Sequence, residues 1–184
     1  MTSRELEEYK ALRVTIRERG TARIWVFLAG LAVWAALTVA TAALAALPVA
    51  TLLPLLILGA TFEAVFSLHV GVERIGRYLQ VFFENEDTPG GATDHTERNW
   101  EHTAMAFGAP WRGSRTDPLF AVVFVLATVL NFIPVMLAEP VRIEVVVVGT
   151  AHLLFIARIA AARWVSARQR AADLARFQLL KKSS

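Results

Sequence analysis

The chain of 184 residues contains no cysteine, which excludes disulfide staples, thiolate metal centres and thiol nucleophiles. Lysine is scarce, with 3 lysines against 16 arginines. With the abundance of alanine, that bias points to a GC-rich bacterial genome. No Gly-rich phosphate loop, GxSxG elbow or Ser, His, Asp arrangement can be assembled. Ser67 and His69 are two residues apart, so on a helix their side chains face different ways. No catalytic residue is therefore assigned, and the balance leans away from an enzyme.

What is present is apolar. Hydrophobic residues make up 55% of the chain, and the mean hydropathy is +0.48. Those totals are too high for an ordinary soluble domain and point to an integral membrane protein. Two long apolar runs, 24–47 and 49–72, are separated only by Pro48, and a second pair covers 119–137 and 145–165. Each offers close to the roughly 20 residues that a helix needs to cross about 30 Å of hydrocarbon. Because unpaired backbone is not tolerated there, helices are the expected solution. The sequence thus predicts an all-α fold: a four-helix membrane bundle made of two transmembrane hairpins.

Basic residues set its direction. Of the 19, all but Arg142 lie in the segments 1–23, 73–117 and 158–184, so both termini and the central loop are expected in the cytoplasm. The first run follows a charged leader of 23 residues and is longer than a signal peptide's apolar core, so an uncleaved span is expected. Four regions follow: an amphipathic N-terminal helix over 1–23 with Ser3 as its cap; a hairpin over 24–85 whose second helix continues into the cytoplasm; a cytoplasmic loop over 86–116; and a second hairpin over 117–184 ending in a cytoplasmic helix. The cytoplasmic extensions should either pack on one another or lie on anionic headgroups.

Within the apolar runs stand a few polar residues. With about 1.5 Å of rise per residue, Glu63 and Arg158 both fall just past the midplane, Asn131 and His152 share the outer half, and His69 lies near the cytoplasmic surface. A lone charge at the bilayer centre costs roughly 2.5–3.5 kcal/mol. The economical arrangement pairs Glu63 with Arg158 and Asn131 with His152, with Glu63 turned toward a protein or water interior. Such pairs can serve as interhelical glue; alternatively Glu63, His69, His152 and Arg158 line an ion or proton path. No cofactor is implied, since the depths of His69 and His152 differ by about 15 Å, too far to ligate one haem.

The loop changes character. Pro89, Gly90 and Gly91 break the preceding helix, and Asp117 and Pro118 begin the next in cap-then-proline order. A short interfacial helix over 93–107 would place Trp100, Ala104 and Phe107 on one face. His95, Glu97, Glu101 and His102 form a weak metal-ligand set, but the histidines stand two turns apart, about 10 Å. A solvated loop is the plainer reading.

The expected function is a homo-oligomeric channel or pore for ions or small solutes, gated by its cytoplasmic helices, in the inner membrane of a bacterium. Gly30 with Ala29, Ala36, Ala40 and Ala43 makes a small-residue surface suited to close helix contact. A membrane anchor for a soluble cytoplasmic protein is the alternative, and a membrane enzyme with a loop metal site the third. The expected partners are membrane lipids, anionic on the cytoplasmic side, and further copies of the chain. Anionic lipid accounts for the basic clusters without nucleic acid.

Overall fold

Leu47 takes an extended conformation (φ −109°, ψ 107°) because a residue before proline is crowded out of the helical region. A 3₁₀ turn, Pro48–Thr51, follows at once, closed by Thr51 Oγ1 donating to the Pro48 carbonyl at 2.7 Å. This is the first hairpin turn of a computed structural model that describes residues 2–43, 47–84, 117, 119–138 and 141–183. Four helices carry these residues: α1 (Ser3–Ala43), α2 (Leu52–Leu79), α3 (Ala121–Leu137) and α4 (Arg142–Ser183). One turn of π-helix, Gln80–Glu84, prolongs α2. No strand occurs among the described residues.

The helices carrying the first, second and fourth apolar runs are long and apolar enough to cross a membrane, while α3 is shorter at 17 residues. α1 has 41 residues and α4 has 42, each about twice what a bilayer requires. The N-terminal cap is Thr2, not Ser3. Glu5 N–H meets Thr2 Oγ1 at 3.3 Å and Thr2 N–H meets Glu5 Oε2 at 2.7 Å, a reciprocal capping box. Asp117 does supply the acceptors at the start of α3, taking the N–H groups of Leu119 (3.2 Å) and Val122 (3.3 Å) on its two carboxylate oxygens. The helix proper begins only at Ala121, because Phe120 sits at φ 51°. Such a left-handed position is unfavourable for an aromatic residue, and a stacked contact with Phe27, centroids 4.0 Å apart, offsets it.

The described residues fall into two compact units, each assembled from separated stretches of chain. One unit holds 21–69 and 117–165. Its core contains Leu58, Phe62, Val65 and Phe124, all fully buried. Phe62 meets Phe124 and Phe155 edge to face at 5.3 and 6.0 Å, a favoured aromatic geometry. Gly30 is used here within the chain: a Cβ at this position would run into the Thr61 side chain, so α1 and α2 approach closely because glycine is present.

The other unit holds the described residues among 1–20, 70–116 and 166–184. Here the three helical extensions pack on one another. Tyr78 contacts Phe82, Phe83 and Phe177 at 4.7–6.0 Å between centroids, and its hydroxyl donates to Glu8 at 2.9 Å. Lys181 donates to the Val81 carbonyl at 2.8 Å, capping an acceptor left open near the end of a helix.

Candidate functional site

Along α2, Leu55, Leu58, Phe62, Val65 and His69 recur at alternating intervals of three and four residues, and all are buried. Two positions ahead, Leu53, Leu56, Ala60, Glu63 and Ser67 repeat the same spacing and are all exposed. A shift of two residues is a rotation of about 200°, so the helix presents opposite faces with one periodicity. Glu63 lies on the outer one.

The structure brings Glu63 and Arg158 together. Arg158 Nε lies 2.8 Å from Glu63 Oε1, and Nη2 donates to Oε2 at 2.8 Å, the two-pronged geometry that suits a guanidinium and a carboxylate. The arginine also stands 5.1 Å from the Phe66 ring centroid, within cation–π range. Within the unit itself the pair is not sheltered, however. The side chains are 50% and 40% exposed for Glu63 and Arg158, so the pair rides on the surface of its unit. Phe62 and Val65 occupy the core face on either side of Glu63 in sequence and leave the carboxylate no inward direction.

Asn131 and His152 also meet, in a different setting. Asn131 is fully buried, and its Nδ2 donates to the Thr51 carbonyl at 2.9 Å and approaches His152 Nε2 at 3.0 Å. Its Oδ1 accepts from Trp34 Nε1 at 3.3 Å. These partners decide the amide's orientation, because a backbone carbonyl can only accept and an indole N–H can only donate. They also decide the imidazole. His152 Nδ1 lies 2.8 Å from the Val148 carbonyl and must carry the proton, leaving Nε2 as the acceptor for Asn131. Thr38 Oγ1 stands 3.5 Å from Asn131 Oδ1, but its proton is better directed to the Trp34 carbonyl at 2.8 Å. One asparagine thereby ties together α1, the 3₁₀ turn, α3 and α4 with its polar atoms satisfied, an arrangement of interhelical glue.

His69, the fifth residue singled out from the sequence, is buried. Its Nδ1 lies 3.4 Å from Arg23 Nη1 and acts as acceptor, since a guanidinium has only donors. The five residues therefore occupy three groupings: a surface ion pair, a buried amide hub, and an Arg23–His69 contact. The weak metal set His95, Glu97, Glu101 and His102, and the short helix over 93–107, lie outside the described residues. Among those described, no group of three or more His, Asp or Glu residues could hold a metal.

Sequence reading missed the most buried charge. Arg77, in the unit formed by the helical extensions, is 2% exposed. Nη1 pairs with Glu73 at 3.1 Å and Nη2 with Asp173 at 3.0 Å, while Arg170 meets Glu73 at 2.7 Å and Arg74 approaches Asp173 at 3.6 Å. The four-residue interval from Glu73 to Arg77 was the available signal. Burial pushes the Tyr78 phenol up from its ordinary value of 10.0, and the hydrogen bond and negative charge of Glu8 act in the same direction.

Compared with protein-family models, with curated proteins and with solved structures, the chain matches none.

Proposed function

We propose that the chain is a polytopic membrane protein whose copies associate through the outer face of α2 to form a pore for ions or small solutes. In this reading four helices span the bilayer, both termini face the cytoplasm, and the packed extensions of α1, α2 and α4 act as the gate. The observation that carries it is the half-exposed Glu63–Arg158 pair on a face of α2 that otherwise holds Leu53, Leu56, Ala60 and Ser67, at a height that helical rise from the span's start puts near the midplane. Ionised residues within membrane spans belong against protein or water rather than lipid. Phe62, Val65 and Phe124 fill the centre of the unit, so a shared axis between copies is the remaining wet location. Leu53, Leu56, Ala60, Glu63 and Ser67 repeat at coiled-coil spacing, with small residues that permit close approach. Cyclic symmetry about the membrane normal would repeat the ion pair around that axis.

Purified protein in nanodiscs and planar bilayers tests the reading. Its mass should exceed one copy, and Glu63→Lys should shift current selectivity toward anions. A monomeric particle, or selectivity indifferent to Glu63, removes the pore.

A second reading, a membrane anchor for a soluble cytoplasmic protein, draws on the extension unit. Leu6, Leu179 and Leu180 are all exposed in that unit, apolar side chains that a partner could cover. Deleting residues 2–20 would then release the partner, and the bilayer would carry no current with or without the deletion.

A further inference from the structure

α3 and α4 leave a groove of about 300 Å³ between them. Its walls include Val122, Val125 and Leu126 from α3 and Ile156 and Ala160 from α4, and Arg163 stands at one end. From Ile156 to Arg163 is seven residues, about 10 Å along the helix, so the groove is a short apolar slot with one cationic end. We propose that it is a binding site for an anionic phospholipid, with one acyl chain in the slot and the headgroup phosphate on Arg163.

Three features select that occupant. The walls are aliphatic, and small Ala160 opens the slot where a larger side chain would close it. The Arg163 side chain is 58% exposed, and its nearest carboxylate among the described residues, Asp117, stands 4.0 Å away. That contact is a long ion pair whose carboxylate also accepts the N–H groups of Leu119 and Val122, so an incoming phosphate competes with one weak, partly exposed pair for the guanidinium's donors. Next to Arg163, Trp164 is exposed, and an exposed tryptophan beside a basic residue is characteristic of the headgroup level. The cationic end thus lies where a phosphate would be and the apolar end where a tail would be. The inference rests on integration of the chain in a bilayer and not on its forming a pore.

Photo-crosslinking in nanodiscs tests it. Phosphatidylcholine discs are doped with a diazirine-tailed phosphatidylglycerol or, at equal fraction, with a diazirine-tailed phosphatidylcholine, and labelled peptides are mapped. Labelling within 121–126 and 156–163 should favour phosphatidylglycerol by about fivefold, the factor expected of one basic residue beside an anionic headgroup. Arg163→Gln should abolish that preference, whereas Arg176→Gln should leave it intact. Ala160→Phe should suppress groove labelling by both lipids; should that variant fail to fold, the surface change Arg163→Gln decides alone. Equal labelling by the two lipids in the unaltered protein overturns the proposal, as does equal sensitivity to Arg163→Gln and Arg176→Gln. Inorganic phosphate that competes away the preference would mean a free anion site and likewise overturn the lipid. Extraction of the chain from membranes by alkaline carbonate would instead remove the membrane reading itself.

Discussion

Replacing Asn131 with leucine separates the buried amide hub from everything else in its unit. Leucine keeps the branched outline of asparagine but is bulkier, so some overpacking adds to a loss that is otherwise polar. Trp34 N–H, the Thr51 carbonyl and His152 Nε2 each lose a partner between 2.9 and 3.3 Å away. In membrane proteins such bonds average about 0.6 kcal/mol each, and in soluble ones nearer 1 kcal/mol. Three of them bracket the expected loss at about 2–3 kcal/mol. Asn131→Asp should cost more than leucine despite its closer shape, because an oxygen would replace the donor facing the Thr51 carbonyl. Unfolding in mixed micelles, followed by circular dichroism, reads both effects. A cycle with His152→Leu should show a coupling near 0.6 kcal/mol and below about 1.7 kcal/mol, the largest value typical of bilayer hydrogen bonds. Wild-type stability in Asn131→Leu, with no coupling to position 152, would refute the hub.

Arg77→Met should destabilise the extension unit by up to about 3 kcal/mol, short of the roughly 3–5 kcal/mol of a stranded buried charge, because Arg170 and Arg74 still pair Glu73 and Asp173; protease resistance of the extensions measures this, and a loss below about 1 kcal/mol would mean water already screens the cluster. Tyr78 should remain a neutral phenol beyond pH 10.0, its ordinary value. A raised folded-state pKa means that its contribution is fully present below that pH and is lost as pH rises through the folded value. Tyr78→Phe should therefore flatten the alkaline limb of the unfolding profile, and absorbance titration in a Tyr9→Phe background follows the phenol directly. Gly30→Val should cost about 1–3 kcal/mol by overpacking against Thr61, and Thr61→Gly should recover part of it in the double variant.

Much of the fold is legible in the amino-acid order. Apolar length requires helices, Pro48 forces a turn, and the polar gap after α2 separates the two hairpins. The register of the polar pairs is legible too, because helices packed side by side share one rise per residue. Glu63 and Arg158, or Asn131 and His152, are matched by that arithmetic alone. Rotation about the helix axis is different. A helix that is apolar all round has no polar face to declare its orientation, so nothing in the order of residues says that Glu63 points outward while Asn131 points in.

The amino-acid order by itself determined helical character, the site of the first turn and the heights of the polar residues, because these follow from local backbone chemistry and chain length. Tertiary packing alone decided which face of each helix is interior. It placed Trp34 and Thr51 around Asn131, set Arg23 against His69, and enclosed Arg77 between Glu73 and Asp173. Those choices depend on how aromatic and aliphatic side chains interlock across helices far apart in the chain, a steric property of the assembled core that no local pattern carries.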